Sequence, residues 1–266
     1  MSGDATSDET AGTTPDDRPR VAVFRPDDER LRAAIDRLES LGTDPVADPM
    51  LEVRPTGRSP EPADFVVLTS KTGVELADEA GWGPGDAVVC AIGDSTATAL
   101  RDHGYAVDVV PEEFSSRGLV DALADRVAGK HVEVARSDHG SDVLTDGLAD
   151  AGADVHETVL YELVRPEEAG ESATLAATGD LDAALFTSSL TVEHFLDAAA
   201  ERDVRADAVA GLNDAVVGAI GEPTRETALA RGVEVDLVPG TASFDRLASE
   251  AVERVRDDGG RTGERD

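Results

Sequence analysis

The side chains able to do chemistry in this sequence are hydroxyls and a few cations, and most of them come in matched pairs. Thr96 and Thr224 each stand three residues after a glycine, in AIGDSTATAL and AIGEPTRETAL. Thr69-Ser70-Lys71, Arg136-Ser137 and Thr187-Ser188-Ser189 each follow a short apolar run, as does Arg25, and Ser95 adjoins Thr96. In a parallel α/β unit the turn after a strand opens a helix at the carboxyl edge of the sheet, with first-turn N–H groups facing outward. Hydroxyls, cations and a helix dipole gathered there suit an anionic ligand. A lone threonine in such a turn equally serves as an N-cap, but two at matched places favour a shared ligand site. Arg25 and Arg136 are surface charge or ligand contacts, and their matched positions favour contact. Tyr161 is one of two tyrosines. Its counterpart in the repeat is Met50, so it breaks the symmetry. It packs at an interface, or it presents a phenol able to give a proton to a leaving group.

Other chemistries lack their residues. Neither G-x-G-x-x-G nor a Walker A pattern is present, and GDST and GEPT hold too few glycines to cradle a pyrophosphate. His103, His131, His139, His156 and His194 share no ligand spacing with one another or with Cys90, so no metal is expected. Cys90 lies in an apolar run and suits a core thiol. There is no G-x-S-x-G elbow for a serine hydrolase.

The elements that must position these groups form a repeat. Residues 88–111 and 216–239 align without a gap, Gly93 on Gly221 and Pro111 on Pro239, at an offset of 128. Each copy predicts a strand, a helix stopped by glycine, and a short Val-rich strand. Arg25 matches Arg136 and Arg54-Pro55 matches Arg165-Pro166 at 111, while Thr69-Ser70 matches Thr187-Ser188 at 118. Offsets that grow in steps are small loop insertions in a duplicated domain. Strands are expected at Val21–Phe24, Phe65–Leu68, His131–Ala135 and Asp182–Phe186. Helices are expected over about 28–41, 71–80, 116–127, 141–151 and 243–256. Residues 44–54 and 155–165 read as extended, the first with two prolines that suit an edge or connecting strand. A loop is expected between Pro166 and Asp182. The fold class is therefore α/β: two similar domains, each a parallel sheet flanked by helices. The pattern leaves open whether the halves are in tandem or exchange their first βα segments.

The formal net charge is −32 over 266 residues, with a pI near 4.3. Only Lys71 and Lys130 are lysines. Acidic residues are spread along the whole chain, which suits a salt-rich cytoplasm where charge is screened and argues against recruitment of one basic partner. No basic stripe is present, so nucleic acid is disfavoured. No apolar run reaches the ~20 residues that span a bilayer. Residues 1–19 and 257–266 are polar and read as disordered tails, the first unlike a signal peptide.

The segments FVVLTSKTGVE, AIGDSTATAL, ADVHETVLYELVRP, ALFTSSLTVEHF and AVVGAIGEPTRETALARGVEVDLVP, in this order over about 21–256, resemble the uroporphyrinogen-III synthase family. The resemblance implies a first domain of 20–43 plus 166–256 and a second of 56–154. Extended connectors, 44–55 and 155–165, would join them, with the ligand cleft between. It implies cyclisation of hydroxymethylbilane to uroporphyrinogen III without cofactor, through loss of the hydroxyl and inversion of the last ring by way of a spiro intermediate. Thr96, Thr224, Tyr161 and the Thr187–Ser189 turn would face the tetrapyrrole, with Tyr161 as the phenol that assists loss of the hydroxyl. A monomer receiving substrate from hydroxymethylbilane synthase is expected. One turn departs from the family: Gly221-Glu222-Pro223-Thr224 stands where G-P-T-T is common, which keeps Thr224 but loses a hydroxyl. The competing reading is a two-domain protein that binds or senses an anionic small molecule and does no chemistry.

Overall fold

The computed structural model describes residues 18–262. In chain order the elements are β1 (Arg20–Phe24), α1 (Glu29–Ser40), β2 (Asp44–Ala47), β3 (Glu52–Pro55), β4 (Phe65–Leu68) and α2 (Lys71–Glu79). Then come β5 (Val88–Ala91), α3 (Asp94–Asp102), α4 (Ser116–Leu123), β6 (His131–Ser137), α5 (Asp142–Asp150) and β7 (Asp154–Val164). The chain closes with α6 (Glu171–Thr178), β8 (Ala183–Phe186), α7 (Ser189–Glu201), α8 (Arg205–Asp214), β9 (Val216–Ala219), α9 (Glu222–Ala230) and α10 (Phe244–Thr262). Contacts divide it into two units, one running to Glu52 and resuming at Arg165, the other Val53–Val164.

The first unit carries a four-stranded sheet of order β2-β1-β8-β9, every pair parallel. Its central strands are apolar on both sides, as a doubly covered parallel sheet requires. Ala22, Phe24, Ala184, Phe186 and Val217 pack under α6–α9, where Phe24, Phe186 and Phe195 form an aromatic cluster. On the other side Val21, Val23, Ala183 and Leu185 meet Leu31, Ala34 and Leu38 of α1 and Leu247, Ala251 and Val252 of α10. Pairing of β1 with β8 shows that the first βα segment joins the C-terminal half.

The second unit has the strand order β3-β7-β6-β4-β5. Val66, Leu68, Val89 and Ala91 pack against α2 and α3, and Phe65, Val67, Cys90, Val132 and Val134 against α4 and α5. Cys90 is a buried free thiol, and burial pushes its pKa up to about 12, which keeps it protonated and inert. The extended stretches 44–55 and 155–165 carry β2, β3 and β7. β2 and β3 are edges of their sheets, whereas β7 lies inside the second, between β3 and β6.

Several expectations are corrected. The short strand expected at the end of each repeat is a single bridge, Cys90 to Val109 and Gly218 to Leu237. An acid takes over the ladder there: Asp108 Oδ2 accepts from Val89 N at 2.8 Å, and Asp236 Oδ2 accepts from Val217 N at 2.9 Å. The loop expected before β8 contains α6, and α8 is a further helix that the periodicity does not predict. α4 stops at Leu123, four residues before its expected end. α10 runs to Thr262, into the stretch expected as a tail. The tail expectations for residues 1–17 and 263–266 lie outside the described residues.

Candidate functional site

Parallel pairing brings the strand exits of each unit to one edge of its sheet. In the first unit these are Arg25 after β1, Thr187-Ser188-Ser189 after β8 and the Gly221–Thr224 turn after β9. Thr187 Oγ1 donates to the Phe24 carbonyl at 3.0 Å, which ties the β8 exit to that of β1. Ser189 Oγ donates to the Pro223 carbonyl at 3.0 Å, which ties the same turn to the head of α9. Ser188 caps α7 in a capping box with Thr191.

Arg25 is the cation of this edge. Its guanidinium carbon lies 4.6 Å from the centre of the Phe244 ring. Nε is buried without a hydrogen-bond partner, and among the described residues the side chain makes no ion pair. Burial, then the neighbouring Arg30, lower its pKa, while Asp28 and Asp245 oppose the shift. Asp28 is itself committed to Arg30. In a chain with 56 acidic and 24 basic residues, a half-buried arginine with no acid partner is a cation left open to an incoming carboxylate.

In the second unit the exits are Thr69-Ser70-Lys71 after β4, Gly93–Thr96 after β5, Arg136-Ser137 at the end of β6, and Tyr161 in β7. The Tyr161 hydroxyl donates to Ser70 Oγ at 3.0 Å, and Ser70 Oγ accepts from Gly73 N at 2.9 Å as the N-cap of α2. With both bonds received, the Ser70 hydroxyl keeps its own proton to donate outward. Tyr161 is 7% exposed. The other tyrosine, Tyr105, follows α3, and its hydroxyl donates to Asp78 and to the Trp82 carbonyl, so it is occupied.

Thr96 and Thr224 are not N-caps. Gly93 and Gly221 hold that position, both extended and without a side-chain cap bond, so the threonines sit in the third helical position. Both are buried at 3% exposure, and among the described residues neither hydroxyl has a hydrogen-bond partner. The serine-capped helices α2, α4, α5 and α7 spend a side chain on their first-turn donors, whereas α3 and α9 leave theirs open. Pro223 removes one donor from α9, so α3 is the better provided of the two.

Two expected contacts, Arg136 and Lys71, have other commitments. Arg136 is buried, with Nη2 2.5 Å from Glu157 and Nη1 donating to the Ser141 carbonyl at 2.7 Å. Lys71 is exposed and pairs with Glu75 at 3.4 Å. Ser95 is exposed in the first turn of α3. Thr69 is half-buried beside Ser70. Among the described residues no group of three or more His, Cys, Asp or Glu side chains is placed to hold a metal ion, and no helix is long and apolar enough to cross a membrane.

A family profile described as "Uroporphyrinogen-III synthase HemD" matches residues 32–249. The "Putative uroporphyrinogen-III synthase" of Methanothermobacter thermautotrophicus is 32% identical over 254 residues, covering 89% of this chain and 99% of that one. The "Uroporphyrinogen-III synthase" of Chlorobaculum parvum is 24% identical over 251 residues, covering 87% and 98%. Among solved structures, a mutant uroporphyrinogen III synthase from Thermus thermophilus superposes with a TM-score of 0.64 at 20% identity, covering 90% of this chain and 99% of the other. The Helicobacter pylori uroporphyrinogen-III synthetase gives 0.58 at 16%, covering 89% and 99%. At those identities the two structures speak for the fold alone. The family profile spans most of the chain, and on that ground this protein belongs to the uroporphyrinogen-III synthase family.

Proposed function

We propose that the protein is a uroporphyrinogen-III synthase, a cyclising lyase of tetrapyrrole biosynthesis that supplies the haem, sirohaem and cobalamin routes. Its substrate is hydroxymethylbilane, a flexible chain of four pyrroles with eight carboxylates and a terminal hydroxymethyl group. The observation that carries the reading, beside family membership, is the buried Tyr161 phenol at the strand-exit edge, bonded to Ser70. The phenol can give its proton to the departing hydroxyl, directly or through Ser70, so that water leaves. The resulting cationic methylene carbon is attacked by the substituted carbon of ring D to give a spiro intermediate. That bond arrangement opens and recloses with the ring inverted, and the ring proton lost at closure restores the phenol.

Most of the work in such a reaction is orientation, because the free substrate closes without inversion. Arg25, the Thr187–Ser189 turn, Thr69, Ser70, Thr96, Thr224 and the open N–H groups of α3 and α9 are proposed to hold carboxylates. Ser95, Lys71 and Arg136 remain on the proposed binding set; Arg136 acts there only if Glu157 gives it up. No cofactor is part of the proposal: loss of water and ring closure ask only for proton transfer and orientation. A cytoplasmic monomer that takes substrate from hydroxymethylbilane synthase completes the proposal.

The test is a coupled assay in molar KCl, in which porphobilinogen and a deaminase generate the substrate and the oxidised products are separated by isomer. Uroporphyrin III is the expected product. Isomer I alone from folded protein would overturn the proposal and favour a ligand-binding role. Tyr161→Phe is expected to lower the rate by about 10- to 100-fold, at the low end for a general acid.

A further inference from the structure

Phe114 is the most exposed large apolar side chain among the described residues, at 58%. The chain has six phenylalanines; Phe24, Phe65, Phe186 and Phe195 are buried, and Phe244 lies under Arg25. Phe114 instead stands at the head of α3. A Cβ placed on Gly93 would lie 3.1 Å from Phe114 Cβ and 3.2 Å from its Cγ. Gly93 has φ −174°, which any residue adopts, so the close approach of this ring, and not backbone strain, is what favours glycine there.

The turn that carries Phe114 is fixed. Ser115 caps α4 by accepting from Gly118 N at 3.0 Å, and its hydroxyl donates to Glu113 Oε1 at 2.7 Å. The exposed ring is therefore presented from a tied turn, at the cost of leaving apolar area in water. The repeat shows that the fold does not demand it. Ala242 occupies the corresponding place in the second copy, and the nearest atom to a Cβ on Gly221 is Pro223 Cδ at 3.9 Å.

The ring stands against Gly93, the N-cap position of α3, which opens that helix with no side-chain cap bond, and Thr96, 3% exposed, lies in the first turn that follows. Asp94 in that turn is an acid, so charge alone does not draw an anion to it. A ligand that settles there needs apolar contact together with an acceptor for N–H and O–H donors. We propose that Phe114 is a substrate-positioning residue whose ring packs against one pyrrole of the linear tetrapyrrole while a carboxylate of that pyrrole accepts from Thr96 and the first turn of α3. The proposal rests on the synthase reading and adds to it an aromatic wall that only one of the two repeats provides.

The test compares wild type, Phe114→Ala and Phe114→Tyr in the coupled isomer assay, with melting temperatures alongside. Phe114→Ala is expected to melt within about 2 °C of wild type, since the ring is exposed. It should raise KM for hydroxymethylbilane about 5- to 20-fold and increase the share of isomer I, as substrate escapes and closes unaided. Phe114→Tyr should return KM to within about twofold of wild type. An unchanged KM and isomer ratio in Phe114→Ala, from a wild type that makes isomer III, overturns the positioning role alone. A wild type that makes only isomer I overturns both readings. A dimer that Phe114→Ala converts to monomer, with kinetics unchanged, would assign the ring to a contact between copies and also overturn the proposal.

Discussion

Arg25 and Arg136 occupy equivalent places in the two repeats, yet only one is open to a ligand. The difference comes from the neighbouring strand: β6 lies beside β7, which offers Glu157, whereas β1 lies between β2 and β8, and neither supplies Arg25 with an acid. Arg25→Lys keeps the charge but loses the planar fork and its stacking on Phe244, so KM for hydroxymethylbilane should rise about 3- to 10-fold with the fold retained. An unchanged KM would remove Arg25 from the binding set. A second residue-scale effect concerns Glu133, fully buried in β6 with Oε2 2.6 Å from His156 Nδ1 and Oε1 without a partner. The hydrogen bond to Glu133 is the main cause that raises the His156 pKa above 6.5. The pair's added stability is then full below about pH 6.5 and is lost as pH rises through the higher folded value. His156→Gln should flatten the fall of melting temperature across this window; a fall identical to that of wild type would show that the pair contributes nothing. Repeat symmetry gives both arginines equal standing in the sequence, because a cross-strand carboxylate becomes visible only once strand order is known.

At the scale of elements, the helices announced by a local cap are legible in the sequence. Ser70, Ser115 and Ser188 each close the first turn of the helix that follows them, as their places after a strand or turn suggest. α6 is illegible because its cap is remote. Asp48, buried just beyond β2, accepts from Gly170 N at 2.8 Å, from Ser172 N at 2.9 Å and from the Ser172 hydroxyl, across 122 residues and more of sequence. Gly170 is held at φ +117°, and a side chain there would strike Arg202 and Ala198. Asp48→Ala leaves several buried donors without an acceptor and should cost about 2–4 kcal/mol. Hydrogen exchange should show α6 opening before α7; equal protection of the two helices would contradict this account. The repeat-ending strands mislead for a related reason. Their Val-rich pattern is genuine, but Asp108 and Asp236 insert a side chain where a ladder bond would form. The paired threonines do stand at the helix heads, yet they cap neither helix, because the preceding glycines already fill that position.

For the whole molecule, charge decides the conditions under which the fold persists. A formal charge of −32 repels itself strongly in dilute salt and far less once the Debye length falls to a few ångströms. The melting temperature should therefore drop by about 10 °C or more between molar and millimolar KCl, and scanning calorimetry at both salts would test it. Equal melting temperatures would count against the salt-rich cytoplasm expected from the charge. The acidity also bears on the order in which the chain becomes structured. β1 must wait for β8, since Phe24 and Thr187 are 163 residues apart in sequence. At about 5–20 residues per second, the ribosome leaves the β8-facing edge of Val21–Phe24 unpaired for roughly 8–30 s, while β2 is already available to its other edge and all of Val53–Val164 emerges and can close. During that interval the nascent protein carries an open strand edge on an otherwise strongly anionic chain. Mutual repulsion between neighbouring nascent chains then guards the exposed strand from its counterpart on the next ribosome, a protection that a chain of balanced charge would lack.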